Sequence, residues 1–453
     1  MIATDREVAV DVLVAGDGEL TAAVVRDLGQ AGATTIWLTP ASDAEFQRAV
    51  LRRPRAVAIV SRDDAYALRL ALLAAHMHPD ARLVVTLFDR TIAAQLAGAV
   101  RGCIVLSMAD LVAAPLAAAC LGDDVLAVRT PGPAARDCVV RGDGHGGVRF
   151  DRPPRRGPLR RVIDRLAAIA HPVEPSARTL VAGVAGLAVV SLADAALAIA
   201  ALGERPARAF ALGMRTLVTV GPNPRLDHAS DGVALVSGVL MFAGLAFAAI
   251  FTAGLVNRLL DRRLVAIAGR RAMPRRGHVV VVGLGQVGVR LCVRLREAGV
   301  AVVAVERDGE AAGVRHAPRH GIPVLLGDGS DRALLRRVRA SRARAIAAVT
   351  SDDVTNIAVC MTALAIAPAT RTVLRAGDGD MATETRSLFR VGLVRDAHRI
   401  AGAGIAAAAL GRPAGDVVVR DARTFLLAPD GQMAPFPPAP TTSHDLMSSR
   451  RLP

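Results

Sequence analysis

Two long apolar runs decide what this chain can fold into. Leu180 to Leu202 reads LVAGVAGLAVVSLADAALAIAAL, with Asp194 as its only charge, and Gly232 to Val256 reads GVALVSGVLMFAGLAFAAIFTAGLV, with none. Each exceeds the about 20 residues that a helix needs to cross a hydrocarbon core about 30 Å thick. Both begin too deep in the chain to be a signal peptide. The competing reading, two buried helices in a large soluble domain, sits poorly with a charge-free run of this length. The expectation is two transmembrane helices in a cell-membrane protein surrounded by lipid.

The charges around the runs set an orientation. Arg152, Arg155, Arg156, Arg160, Arg161, Arg165 and Arg178 precede the first run. Arg258, Arg262, Arg263, Arg270, Arg271, Arg275 and Arg276 follow the second, against only Arg205, Arg208, Arg215 and Arg225 between them. By the positive-inside rule both chain ends face the cytoplasm. The formal net charge of +15 therefore reads as topology on an arginine-rich, lysine-free background. One Trp and one Tyr leave little for base stacking, which argues against a nucleic-acid partner. A hydrophobic content of 52% excludes a disordered chain. Cys103, Cys120, Cys138, Cys292 and Cys360 are scattered without a Cys-x-x-Cys pair and read as reduced thiols.

Between the runs, Ala207 to Val218 predicts a short helix that leads into Thr219-Val220-Gly221-Pro222-Asn223-Pro224, where proline must break helical geometry. Span, short helix, Thr-Val-Gly, span resembles the two-helix potassium channels, whose four chains line a filter with backbone carbonyls. The resemblance implies an ion pathway at Thr219, Val220, Gly221, Pro222 and Asn223, with K⁺ or another monovalent cation as the transported ion. Pro222 and Asn223 depart from the aromatic and second glycine of that family, and Pro224 replaces its acid. Arg215 in the short helix is a further departure, for which Asp194 is a candidate partner. Gly244, midway along the second run, is either a hinge or a close-packing position.

After the membrane segment the pattern becomes soluble α/β. His278 to Val282 is a β-branched strand, then Gly283-Leu284-Gly285-Gln286-Val287-Gly288 opens a helix, and a second strand ends in Glu306. This is the dinucleotide fingerprint in its required context, with the acid about 20 residues further on. The helix start supplies free N–H groups to phosphates, and Glu306 would accept from ribose hydroxyls, favouring NAD(H). Arg307 beside it is suited to a 2′-phosphate. Gly327-Asp328-Gly329-Ser330-Asp331 and Thr350-Ser351-Asp352-Asp353-Val354-Thr355-Asn356 follow later strands on the ligand-binding edge. Over Gly277 to Ala403 this order of motifs resembles the RCK (TrkA-N-like) family, which regulates potassium channels and transporters. That likeness implies that Asp328 helps hold the adenosine end and that Thr350 and Asp352 lie near the phosphates. ADP or ATP is the alternative ligand. No nucleophile-and-base pair or metal-ligand spacing appears, so an enzyme is not expected.

The N-terminal region repeats the theme. AVAIVSRDDAYALRLALLAAHMHPDARLVVTLFD parallels AIAAVTSDDVTNIAVCMTALAIAPATRTVLRAGD, about 289 residues apart. In this first copy Thr21 replaces the third glycine and Thr39-Pro40 follows the second strand without an acid. A side chain at position 21 is expected to push helix from strand, leaving a structural domain.

The fold class expected is thus α/β: Rossmann-like (RCK) domains with doubly wound parallel sheets, plus an all-α membrane pore module of two helices and a re-entrant pore helix. The boundaries are 8–138 for the degenerate copy, 139–177 for a basic linker and 178–258 for the pore module, with its re-entrant loop at 204–226. A connector at 259–276, the nucleotide-binding domain at 277–405 and a short strand segment with a Pro-rich, disordered tail at 406–453 complete the chain. By its resemblance the assembly is a homo-tetramer with an RCK ring. Three functions fit: a nucleotide-regulated potassium channel, a non-conducting relative that senses nucleotide, and an NAD-dependent membrane oxidoreductase.

Overall fold

The computed structural model describes residues 10–39, 42–128, 139–142, 148–151, 175–217, 230–260, 274, 276–377, 392–412, 416–420, 423–428 and 431–437. The chain divides into two compact units, one made of residues 1–155 and 274–453, the other of residues 156–273.

The first unit holds both Rossmann-like copies. Strands β1 (Val12–Gly16), β2 (Thr35–Leu38), β3 (Ala56–Val60), β4 (Arg82–Thr86) and β5 (Cys103–Leu106) form a parallel sheet in the order β2-β1-β3-β4-β5. Helices α1 (Gly18–Gln30), α2 (Asp43–Val50), α3 (Asp64–Met77), α4 (Arg90–Ala99) and α5 (Met108–Leu121) intervene or follow. The second copy repeats this with one more strand. Its order is β11-β10-β9-β12-β13-β14, all parallel, using β9 (Val279–Val282), β10 (Val302–Glu306), β11 (Val324–Leu326), β12 (Ala345–Ala348), β13 (Arg371–Ala376) and β14 (Leu393–Asp396). In both sheets the strand order reverses beside the first strand, so the carboxyl edge there is the open crevice where such sheets take ligands.

The last helix of each copy does not stay at home. Helix α5 reads MADLVAAPLAAACL and is buried at twelve of its positions, and the second copy's counterpart, Ala397–Ala409, at eleven. A helix apolar all round has to be covered on every side. Each lies against the sheet of the opposite copy, and each packs on the opposite copy's glycine-turn helix, α1 or Gln286–Glu297. One core runs through both, from Val12, Val14 and Leu28 to Val279, Val281 and Leu291. Small side chains permit the approach: a Cβ on Gly402 would stand 2.9 Å from Ala23 Cβ.

Arginines close the exchanged helix ends. Arg371 donates to Ala119 O at 3.3 Å and forks onto Asp123 at 2.8 and 2.7 Å, and Arg344 donates to Leu121 O. In the mirrored position, Arg82 donates to Ala409 O at 2.9 Å. Cations at a helix C-terminus satisfy carbonyls left without intrahelical partners. Burial pushes the thiols of Cys120 and Cys360 up to about 12, so neither is a ready nucleophile.

The structure departs from the sequence reading at two places. Val139–Gly142 and Val148–Asp151 form strands β7 and β8, pairing antiparallel with β6 (Val125–Val128), although the linker was expected from residue 139. The second copy likewise ends in a three-stranded sheet: β15 (Asp416–Arg420), β16 (Arg423–Leu427) and β17 (Met433–Pro435). Val140 and Leu126 of the first sheet share a core with Val418 and Leu427 of the second. The start of the Pro-rich segment is therefore ordered, with Phe436 buried at 1% exposure under the Arg412 guanidinium. Strands β7 and β8 are too short, and too polar on one side, for hydropathy alone to separate them from loop, whereas β15 and β16 fall in the expected strand segment.

In the other unit, α6 (Pro175–Leu202) packs against α8 (Asp231–Leu260) and against the short α7 (Pro206–Leu217). Thr179–Leu202 and Asp231–Val256 are long and apolar enough to cross a membrane. Their outward faces carry Val189, Leu192, Leu235, Phe242 and Leu245 without protein cover, whereas Asp194 is buried. A Cβ on Gly186 would stand 2.1 Å from the Phe247 ring, so glycine sets the closest approach of the pair there. At Gly244 a Cβ would meet Val190 at an ordinary 3.6 Å, so packing does not require glycine at that position. Thr219, Val220, Gly221, Pro222 and Asn223, and the side chain of Arg215, lie outside the described residues.

Where the copies meet, Asp27 on α1 is 5% exposed, and its Oδ2 has no hydrogen-bond partner among the described residues. Burial pushes its carboxyl up from 3.8 to about 6, against the pull of Arg26 and Arg399. An acid with a raised folded-state pKa binds more protons folded than unfolded. Its contribution is thus most favourable at low pH and is lost as pH rises through about 6. Asp27→Asn should gain stability relative to the unsubstituted chain between pH 4.5 and pH 7.5, read by thermal melting at both. An offset equal at the two pH values would contradict this.

Candidate functional site

The second copy's glycine turn is built by local constraint. Gly283 has φ +97°, and a Cβ there would stand 2.9 Å from Thr350 N. Gly288 lies in the first turn of helix α9 (Gln286–Glu297), where a Cβ would come 1.9 Å from Gly283 O. Both glycines are required by the fold itself. Gly285 differs: it caps the helix at φ −64°, a conformation open to any residue, and a Cβ would meet nothing within 4 Å. Its missing side chain leaves room only for something outside the chain. No side chain caps α9, so its first N–H groups face the same space.

Glu306 ends β10 and turns back on the glycine turn. Its Oε2 accepts from Leu284 N at 2.6 Å, and Oε1 accepts from Arg307 N at 2.8 Å and Asp308 N at 3.1 Å. A carboxylate has about four acceptor sites, so capacity for an incoming hydroxyl remains. Asp328 accepts from Ser330 N at 2.8 Å and Ser330 Oγ at 2.7 Å. Those bonds, aided by Arg307, hold its carboxyl below the usual range. Asp352 is likewise lowered by hydrogen bonds from Thr355, with a smaller pull from Arg307.

Thr350 is fixed from behind. Asn356, fully buried, takes Thr350 N at 2.9 Å and Thr350 Oγ1 at 2.8 Å, and donates Nδ2 to Arg375 O at 3.0 Å. Arg375 Nη1 in turn donates to Thr350 O at 2.8 Å.

The site borders one cavity of 730 Å³, within the size range of small-molecule sites. Gly283, Gly285, Gln286, Val287, Glu306, Arg307, Asp328, Thr350 and Asp352 all face it. Gly288 stands behind the wall. The sequence reading did not single out Arg375 and His398 of the second copy, nor Arg62, Phe88, Met108 and Ala109 of the first. Arg62 and Phe88 fall in the repeated segment, and the duplication was the one signal that could have pointed to them. His398 Nδ1 lies 2.9 Å from Glu19 Oε2 of the first copy, a close contact without hydrogen-bond geometry.

The corresponding turn of the first copy is closed on itself. Thr21 is fully buried and donates Oγ1 to Asp17 O at 2.7 Å. Trp37 Nε1 donates to Gly16 O at 2.9 Å. Gly18, in the place of Gly285, has φ +73° and so is needed by the backbone. No residue from Gly16 to Thr21 lines the cavity.

Residues 279–390 match the TrkA-N domain. Among solved structures, the chain is similar to the GsuK RCK domain at 11% identity and a TM-score of 0.49, covering 90% of this chain and 78% of that one. The NAD(P)-binding domain of an exopolyphosphatase-related protein from Archaeoglobus fulgidus is 22% identical over 27% of this chain and 88% of that chain, with a TM-score of 0.24. The GsuK channel bound to NAD is 20% identical over 49% of this chain and 42% of that chain, with a TM-score of 0.28. No curated protein matches the chain. The TrkA-N segment contains β9 through β13, every strand from which the glycine turn, Glu306, Asp328 and Thr350 are presented.

The amide of Leu284 gives a direct test of how the turn is held. Glu306→Ala should speed its hydrogen exchange about tenfold or more without any ligand, because a charge-assisted bond worth about 1.5–3 kcal/mol is lost. Unchanged exchange would mean that the turn is rigid without the carboxylate.

Proposed function

We propose that this chain is a nucleotide-regulated potassium or other monovalent-cation channel, in which ligand binding to the cytoplasmic Rossmann-like pair gates a tetrameric two-helix pore. The observation that carries the nucleotide part is Gly285. A glycine that neither backbone conformation nor packing requires, at an uncapped helix start, suits the close approach of a phosphate group. Glu306 with acceptor capacity to spare suits a ribose. NAD(H) is the first choice of ligand, with ADP or ATP as the alternative. The role is binding rather than turnover. Gln286 and Val287 would offer N–H groups to phosphates, and Asp328 and Arg307 would meet the adenosine end.

The channel part rests on the two apolar helices, the short helix between them and the Thr219-Val220-Gly221 segment. Both termini lie in the cytoplasm by the arginine distribution. Ligand binding would act on the pore through the 259–276 connector, and it shifts the gate only if open and closed forms bind the ligand with different affinity. A second reading, a non-conducting nucleotide sensor or regulatory subunit of potassium transport, is favoured by Pro222, Asn223 and Arg215.

The full chain in liposomes should show K⁺ flux that changes on nucleotide titration. Flux absent with and without ligand removes the channel and leaves the sensor. Calorimetry on the full chain should give one nucleotide per chain, since only the second copy's turn is open. Gly285→Val should reduce affinity at least tenfold without lowering the ligand-free melting temperature, because its side chain enters empty space. Two nucleotides per chain, or undiminished binding by Gly285→Val, would overturn this site assignment.

A further inference from the structure

Arg62 is a charged residue of the cleft that the glycine fingerprint does not account for. It belongs to the first copy, follows β3, and stands where the second copy has Ser351. It is exposed, and no hydrogen bond or ion pair engages it among the described residues. Arg375 lines the same cavity; its Nη1 is committed to Thr350 O, while its Nε is buried without a hydrogen-bond partner among the described residues. Burial lowers the proton affinity of Arg375, Asp353 restores part of it, and the charge of Arg62 lowers it again, so the two guanidinium groups feel each other.

The neighbouring carboxylates are already engaged by backbone. Asp63 accepts from Ala65 N and Tyr66 N, and Asp64 from Phe88 N and Asp89 N. Both oxygens of Asp353 accept from Gly377 N at 3.0 and 2.8 Å. Two like charges lining one open cleft repel unless an anion lies between them.

We propose that the first copy lends Arg62 to the second copy's site, where it and Arg375 hold the outermost phosphate of an adenine nucleotide seated on the glycine turn. This rests on the nucleotide reading above and, between its two ligand choices, selects ADP or ATP, whose terminal phosphate is free, over NAD(H). Guanidinium groups suit that task, since their planar forks match phosphate oxygens in pairs. The degenerate copy thereby takes part in recognition while its own turn stays closed. Because Arg62 and Arg375 lie on different copies, occupancy by such a nucleotide is tied to the packing of one copy on the other.

The test is calorimetric titration of the full chain with AMP, ADP, ATP and NAD, comparing the unsubstituted protein, Arg62→Ala, Arg62→Glu and Gly285→Val. Loss of affinity in Arg62→Ala should grow along AMP, ADP and ATP, reaching about tenfold or more for ATP. NAD, which has no terminal phosphate, should be affected less than ATP, and Arg62→Glu should be worse than Arg62→Ala throughout. Equal losses for all four ligands, or an unchanged ATP affinity, would overturn the assignment of Arg62. Failure of the unsubstituted chain to bind any of them would instead sink the nucleotide reading. Binding lost in Gly285→Val but intact in Arg62→Ala would remove Arg62 alone.

Discussion

Everything in the unit that holds the two Rossmann-like copies depends on the burial of two helices that are apolar all round. Met108–Leu121 and Ala397–Ala409 consist largely of alanine and small aliphatic residues, with Asp110 in the one and His398 and Arg399 in the other confined to the first turn. Each is covered by the opposite copy's sheet and glycine-turn helix, so neither Rossmann-like sheet has a complete core alone. Apolar surface removed from water stabilises by about 25 cal/mol per Å², so burying these helices is a main force holding the copies together. The arginine forks at the helix ends then fix the register of the exchange.

That exchange also shapes the cleft. The crevice of a doubly wound sheet is ordinarily open to solvent at the strand-order reversal. Here the first copy is brought to its rim, so Arg62, Phe88 and Met108 form part of the wall. The polar groups inside are held by backbone: Glu306 by three amides, Asp328 by its own turn, and Thr350 through buried Asn356. Their positions are set before any ligand arrives, which reduces the ordering cost of binding.

Much of this was legible in the residues. Gly283, Gly285, Gly288 and Glu306 declare themselves because the turn has a fixed spacing, and the apolar helices because length and missing charge are local properties. The loss of the acid after the second strand of the first copy and the burden of Thr21 were readable for the same reason. Arg62 and Arg375 were not, because their meeting depends on how two separate domains pack, which no local pattern encodes. The short strands at Val139–Gly142 and Val148–Asp151 escaped since four residues with polar partners carry too little periodicity. Phe436 escaped because its proline-rich surroundings resemble unstructured sequence.

The duplicated halves share one backbone, and this alters the statistics of their pairing. Two separate subunits would dissociate on dilution and would also form like-with-like pairs. Halves in one chain meet at an effective concentration fixed by the intervening segment. Every degenerate copy is therefore matched with one intact copy whatever the expression level. An asymmetric pair with one open turn and one closed turn becomes a constant of the molecule, where separate subunits would produce it only as one member of a mixture.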